Sequence, residues 1–265
     1  MDRKMYAVFT DLDGTMLDFH TYSYEKALDG IKILNENGVL LIPVSSKTLP
    51  EMKELHRELN LAYPFIFENG GGIAFPSQVK EGDFRIEILG IGIEELKEKF
   101  GVLREVLQTP IRTLLEMDIQ EIIAETNLSK KSAKFAKDRL TSLPFLPSSS
   151  EKKIDILKAN DLLERHKIKI TKGGRYYHIS DENADKGKAV RRVIDYIKSS
   201  YGIDEVISVG IGDSENDIPM LEVVDIPFLV KKYDNTTIET ALKVRRTEKI
   251  GPAGFSEAMR SIFCD

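Results

Sequence analysis

The 265-residue sequence has no tryptophan and one cysteine, Cys264. A single thiol forms no internal disulfide, which fits a reducing compartment. Basic charge is not in excess either: 38 Lys and Arg stand against 43 Asp and Glu, for a formal net charge of -5. That balance argues against a nucleic-acid backbone or an anionic membrane surface as partner. No apolar run approaches the roughly 18 residues of a membrane span, and the N-terminus shows no long apolar region followed by a cleavage site. The expectation is a cytoplasmic protein that binds neither nucleic acid nor membrane. Its oligomeric state leaves no mark in these features.

What the chain does have is 42% hydrophobic residues, enough to bury one large domain or two of ordinary size. The organising stretch is 6–17, YAVFTDLDGTML, an apolar run that ends abruptly in two carboxylates. Tyr6 to Phe9 show no polar alternation, as in a strand of a parallel sheet covered on both faces. Asp11 and Asp13 are two apart, so in extended geometry they point the same way, beyond the carboxyl end of the strand where open α/β sheets bind their ligands. Gly14 lets the chain turn sharply.

Two such charges raise each other's proton affinity unless a cation neutralises them. An oxygen-only environment suits Mg2+. One carboxylate of the pair can attack an electrophile while the other handles the proton of the leaving group. A bare D-x-D also occurs in plain acidic loops, so the rest of the chain has to decide.

Apolar spacing predicts a helix over 24–37 closed by Gly38, then a strand over 39–44 ending in Ser45-Ser46-Lys47-Thr48. Thr48 and Glu51 have capping-box spacing, and Pro50 falls in the first turn of the helix that follows. A strand at 65–67 closes in Glu68-Asn69-Gly70-Gly71. This is the β-α-β-α-β rhythm of a doubly wound parallel sheet, an α/β fold. From about residue 84 the rhythm breaks. A strand at 85–89, helices capped by Asp118 and by Ser129, the latter running to Arg139, and a Pro/Ser-rich break at 146–150 follow. Then come a strand at 154–157, a short helix over 161–166, and a hairpin of 168–171 with 175–179 around Gly173-Gly174. An inserted α+β module with an antiparallel sheet is expected. The α/β rhythm returns at Asp185 with a helix ended by Gly202 and a buried strand at 206–209. That strand stops in Gly212-Asp213-Ser214-Glu215-Asn216-Asp217.

Asp11-x-Asp13-Gly14-Thr15, Ser45 at a strand end, Lys186 opening a helix and Gly212-Asp213-Ser214-x-Asn216-Asp217 occur in the order of the four motifs of the haloacid dehalogenase-like (HAD) phosphohydrolases, which the chain resembles over almost its whole length. The resemblance implies a Rossmann-like core of residues 1–82 and 183–265, with a type IIB α+β cap at 83–182. It implies a Mg2+-dependent phosphomonoesterase with Asp11 as nucleophile, forming an aspartyl-phosphate, and Asp13 as general acid and base. Ser45 would bind a phosphoryl oxygen and Lys186 would offset the charge of Asp11. Asp11, Asp213 and the backbone carbonyl of Asp13 would hold the metal, with Asp217 behind them or acting through water.

Within that group the chain looks most like the mannosyl-3-phosphoglycerate phosphatases. The segments that carry this are Pro43-Val44-Ser45-Ser46-Lys47-Thr48, Glu68-Asn69-Gly70-Gly71, Arg139-x-x-Ser142-x-Pro144-Phe145 and Lys172-Gly173-Gly174-Arg175-Tyr176-Tyr177-His178. A phosphoglyceryl group carries a carboxylate beside its phosphate, and guanidinium, ammonium and loop amides bind such anions. Lys47, Asn69, Arg139, Ser142, Lys172, Gly173, Gly174 and Arg175 are the expected substrate contacts, with a small phosphorylated molecule as ligand. His178 reads by default as a structural histidine. The alternatives are another type IIB sugar-phosphate or sucrose-phosphate phosphatase, a phosphomannomutase, or, in a different class, a non-enzymatic module phosphorylated on Asp.

Overall fold

The structure is a computed structural model that describes residues 3–77, 80, 82–148 and 154–264. The apolar run at the N-terminus forms β1 (Lys4–Thr10), whose last four residues are buried. After it come α1 (Leu28–Glu36), β2 (Leu40–Pro43), α2 (Leu49–Glu58), β3 (Phe65–Phe67), β4 (Gly72–Pro76) and β5 (Phe84–Ile88). The middle of the chain supplies α3 (Ile93–Leu107), β6 (Ile111–Thr113), α4 (Ile119–Thr126), α5 (Lys130–Ala136), β7 (Ser142–Pro147), α6 (Ile156–Leu163), β8 (Ile168–Lys172) and β9 (Tyr177–Asp181). It ends with α7 (Lys186–Tyr201), β10 (Glu205–Gly212), α8 (Ile218–Leu221), β11 (Ile226–Lys231), β12 (Arg245–Ile250) and α9 (Gly251–Phe263).

Five strands form a parallel sheet in the order β12-β11-β10-β1-β2. Alternate residues of each strand serve opposite faces. Val8, Leu41, Val209 and Phe228 pack with Leu34 of α1, Met52 of α2 and Phe255 of α9. Ala7, Phe9, Ile42 and Leu229 pack with Val190 and Val193 of α7 and Leu221 of α8. Helices therefore cover both faces, as the unbroken apolar strands require. The register Thr10↔Ile211 brings the carboxyl ends of β1 and β10 level. Asp11 and Asp213 thus emerge at the same edge of the sheet, with their carboxylates beyond the strand ends.

Strands β3, β4 and β5 form an antiparallel sheet joined to β2 by a bridge between Val44 and Ile66. Residues Phe84–Ile88, numbered above with the inserted segment, pair with Gly72–Pro76 along their full length. The remaining insertion builds an antiparallel sheet in the order β6-β7-β9-β8. Leu143, Phe145, Tyr177, Ile179, Ile168 and Ile170 turn one face of it toward Leu96 and Leu103 of α3 and Ala159 and Leu163 of α6. By the two-residue period, Ser142, Pro144, His178, Ser180 and Thr171 occupy the other face, toward the ends of β1 and β10.

Three local expectations need correction. Residues 154–157 are not a strand: the Asp155 carboxylate accepts from Lys158 N and caps α6, which starts at Ile156. The helix capped by Ser129 stops at Ala136, well before Arg139. In the Pro/Ser-rich break, Leu146 and Pro147 belong to β7, while Ser149 and Ser150 lie outside the described residues. Helix α3, the 15-residue element that covers the antiparallel sheet, was not foreseen as such. Among the described residues no helix is long and apolar enough to cross a membrane.

Candidate active site

Asp11 is fixed at the strand end by its N–H, which donates to Ile211 O at 2.8 Å. Its Oδ1 accepts from Lys186 Nζ at 2.6 Å, and the same ammonium donates to Asp217 Oδ1 at 2.6 Å and to Val44 O at 3.2 Å. All three ammonium protons are used, and the Lys186 side chain is fully buried. Asp185 caps α7 by accepting from Lys188 N, so Lys186 is the first residue of the helix.

Asp217 spends both oxygens inside the fold: Oδ1 on Lys186, Oδ2 on the N–H groups of Asp213 and Ser214 at 3.0 and 2.9 Å. It therefore shapes the loop that presents Asp213. Asp213 Oδ1 accepts from Ser214 Oγ at 2.7 Å. Gly14 has φ +89°, and a Cβ there would come within 2.6 Å of Asp213 Oδ2. Only glycine lets the first acidic loop approach the last so closely.

Carboxylate oxygens of Asp11, Asp213 and Asp217 lie within 4.8 Å of one another. Burial, reinforced by the charge of Asp217, raises the Asp11 pKa well above the carboxylate range and pushes Asp213 up to about 6. Burial works against the Lys186 ammonium, but Asp11 and Asp217 outweigh it and hold its pKa above the ordinary lysine value. Of the four aspartates here, Asp11 and Asp217 share the Lys186 ammonium and Asp13 pairs with Lys47, while Asp213 bonds to neither lysine. The all-oxygen donor set and its unbalanced negative charge fit a hard divalent cation.

Asp13 sits farther out. Lys47 Nζ is 2.8 Å from each of its carboxylate oxygens, and Asp13 lines the same cleft as Asp11, Lys47, Arg139, Arg175 and Asp213. Ser45 is buried under the loop, with its N–H on Ile66 O at 3.0 Å and its Oγ accepting from Lys47 N at 3.2 Å. Gly173 and Gly174 line the cleft as well.

Two of the other expected contacts, Ser142 and Arg139, are committed within the fold. Ser142 donates its hydroxyl to Glu68 Oε2 at 2.8 Å. Arg139 donates from Nε to Ala136 O at 3.0 Å and from Nη1 to Ser46 O at 2.9 Å, so it also ties the inserted segment to the β2 loop. Asn69 and Lys172 line an adjoining cavity with Lys186.

Three features escaped sequence reasoning. Glu68, fully buried with a left-handed φ of 48°, accepts from Leu140 N, Thr141 N, Thr141 Oγ1 and Ser142 Oγ. Tyr22, also left-handed, donates to Thr126 O at 2.8 Å, accepts from Arg175 Nη1, and offers its ring to Lys47 Nζ at 4.9 Å. His178 is buried in the cleft with Nδ1 unpartnered. The Glu68-Asn69-Gly70-Gly71 string did not say what Glu68 would hold, His178 read by default as a structural histidine, and nothing pointed to Tyr22.

Residues 8–252 match the model of the haloacid dehalogenase-like hydrolase family. A glucosyl-3-phosphoglycerate/mannosyl-3-phosphoglycerate phosphatase of Persephonella marina is 34% identical, with 95% of each chain covered. One of the same description from Methanococcoides burtonii is 35% identical, with 96% of each covered. Among solved structures, a HAD subclass IIB sugar phosphatase superposes with a TM-score of 0.64 at 18% identity, over 97% of this chain and 99% of the other.

Proposed function

The chain belongs to the haloacid dehalogenase-like hydrolases and is a phosphatase, and from that premise we propose that it hydrolyses a glycosyl-3-phosphoglycerate, mannosyl-3-phosphoglycerate foremost. The products are the glycosylglycerate and phosphate. The observation that carries the chemistry is the pinning of Asp11 Oδ1 by Lys186, which leaves one oxygen of a cleft-lining carboxylate to act as nucleophile.

Asp11 attacks phosphorus, and the bond from phosphorus to the glyceryl oxygen breaks. Asp13, at the mouth of the cleft, gives its proton to that oxygen. It then takes one from water, which attacks the aspartyl-phosphate and restores the Asp11 carboxylate. Ser45 donates to a phosphoryl oxygen, and Lys186 holds Asp11 in place. Asp11, Asp213 and the carbonyl of Asp13 would hold Mg2+, with Asp217 fixing their loop. When bound, the ion supplies charge neutralisation at the phosphoryl oxygens. Lys47 and Arg175 face the glycerate carboxylate, and the inserted segment acts as a cap that excludes water.

The test is phosphate release with Mg2+ from mannosyl- and glucosyl-3-phosphoglycerate, 3-phosphoglycerate, sucrose 6-phosphate and hexose phosphates, by wild type and Asp11→Asn. Preference for a glycosyl-phosphoglycerate, lost in the variant, supports the reading. Preference for a hexose or sucrose phosphate discards the substrate and keeps the mechanism.

A further inference from the structure

Where the antiparallel sheet faces the catalytic loops, four buried polar atoms have no hydrogen-bond partner: His178 Nδ1, Thr171 Oγ1, Asn69 Nδ2 and Asn216 Oδ1. His178 and Thr171 are register partners across β8 and β9, so their side chains leave the sheet on the same face. Asn216 and Asn69 face each other, one amide donating to the other at 3.0 Å. Whichever way the two amides are turned, one donor and one acceptor remain unspent. Asn216 lines both the main cleft, with His178, and the adjoining cavity, with Asn69 and Thr171. His178 thus borders the cleft that holds Asp11, Asn69 and Thr171 border the adjoining cavity, and the two meet at Asn216.

Such groups are costly to bury unpaired, each at about 1–3 kcal/mol, and a donor-and-acceptor set of neutral groups matches hydroxyls. On the proposed phosphatase reading, we infer that His178, with Thr171, Asn69 and Asn216, forms the subsite for the uncharged, polyhydroxylated part of the substrate, His178 being its specificity-determining residue. Two further observations fit. A Cβ on Gly173 would stand 3.3 Å from His178 Nε2, so the glycine keeps that edge of the ring open. Burial, with the charges of Arg139 and Lys186, lowers the His178 pKa to about 3, so the ring stays neutral and keeps one donor and one acceptor nitrogen.

The experiment compares His178→Phe, which keeps a ring and deletes both nitrogens, with His178→Gln, which retains a donor and an acceptor. Thr171→Val is the near-isosteric control should the ring substitution fail to fold. For the preferred glycosyl-phosphoglycerate, His178→Phe and Thr171→Val are expected to lower kcat/KM about tenfold or more, mainly through KM. For 3-phosphoglycerate, which lacks the ring, the loss is about threefold or less, and His178→Gln recovers most of the first effect. Equal losses on both substrates, or none on either, overturn the inference. If wild type prefers a hexose phosphate instead, the glycosyl-phosphoglycerate reading fails. The same variants are then compared on that ester and on p-nitrophenyl phosphate, so the subsite is still decided.

Discussion

Lys186 Nζ lies 2.6 Å from Asp11 Oδ1 and 2.6 Å from Asp217 Oδ1, in a position with no solvent exposure. Removing the ammonium leaves two buried carboxylates facing each other across the space it filled. Lys186→Met is therefore expected to lose about 3–5 kcal/mol of stability and to lower kcat more than about a hundredfold. Denaturant melts and steady-state kinetics check the two effects. A stable variant with near-normal turnover contradicts the role given to Lys186.

Gly14→Ala places a methyl 2.6 Å from Asp213 Oδ2 at a φ of +89°. The backbone strain costs about 1–2 kcal/mol. The larger effect falls on the carboxylate, which must turn away. Mg2+ activation curves are expected to shift to concentrations at least about tenfold higher, and unchanged metal dependence rules this out.

Glu68 gathers four donors from residues 140–142 onto one buried carboxylate. Glu68→Ala strands those donors and is expected to cost on the order of 3 kcal/mol. Hydrogen exchange read by mass spectrometry should accelerate first in 139–147, where the inserted segment meets the β3 loop. Acceleration spread evenly over the chain would place the loss elsewhere.

Two buried groups give opposite slopes of stability with pH. Asp213 has its folded pKa raised to about 6 from 3.8, so its contribution is full below about pH 4 and lost as pH rises through about 6. A bound divalent cation reverses that loss. The gain in Tm on adding Mg2+ should be small at pH 4 and grow as pH rises through about 6. His178 runs the other way: its folded pKa is depressed to about 3 from 6.5, so its contribution is present above pH 6.5 and lost as pH falls toward 3. The difference in stability between wild type and His178→Phe should shrink across that window. A pH-independent difference contradicts burial as a neutral ring.

The sheet was legible because its strands are buried on both faces and read as continuous apolar runs at 6–9, 39–44 and 206–209. The acidic residues were legible because they follow those runs directly, and strand ends are where a parallel sheet leaves side chains free. Thr48 and Glu51 make the capping box their spacing implied. What stayed hidden depends on partners far away in sequence. Ser142 looks like any strand serine until Glu68, 74 residues earlier, claims its hydroxyl. Tyr22 carries no local sign of its left-handed backbone or of its bond to Arg175, 153 residues on. The apolar residues of 154–157 fit a strand or the start of a helix equally well, and the cap formed by Asp155 decides for the helix.

The most direct measurement is rapid-quench mass spectrometry of the enzyme turning over mannosyl-3-phosphoglycerate with Mg2+. The account requires a transient phosphoryl group on the peptide bearing Asp11, formed as one equivalent of mannosylglycerate is released and absent in Asp11→Asn. Phosphate release with no label on that peptide contradicts it. So does a label acquired only from acetyl phosphate that persists without turnover, the behaviour of a signalling module.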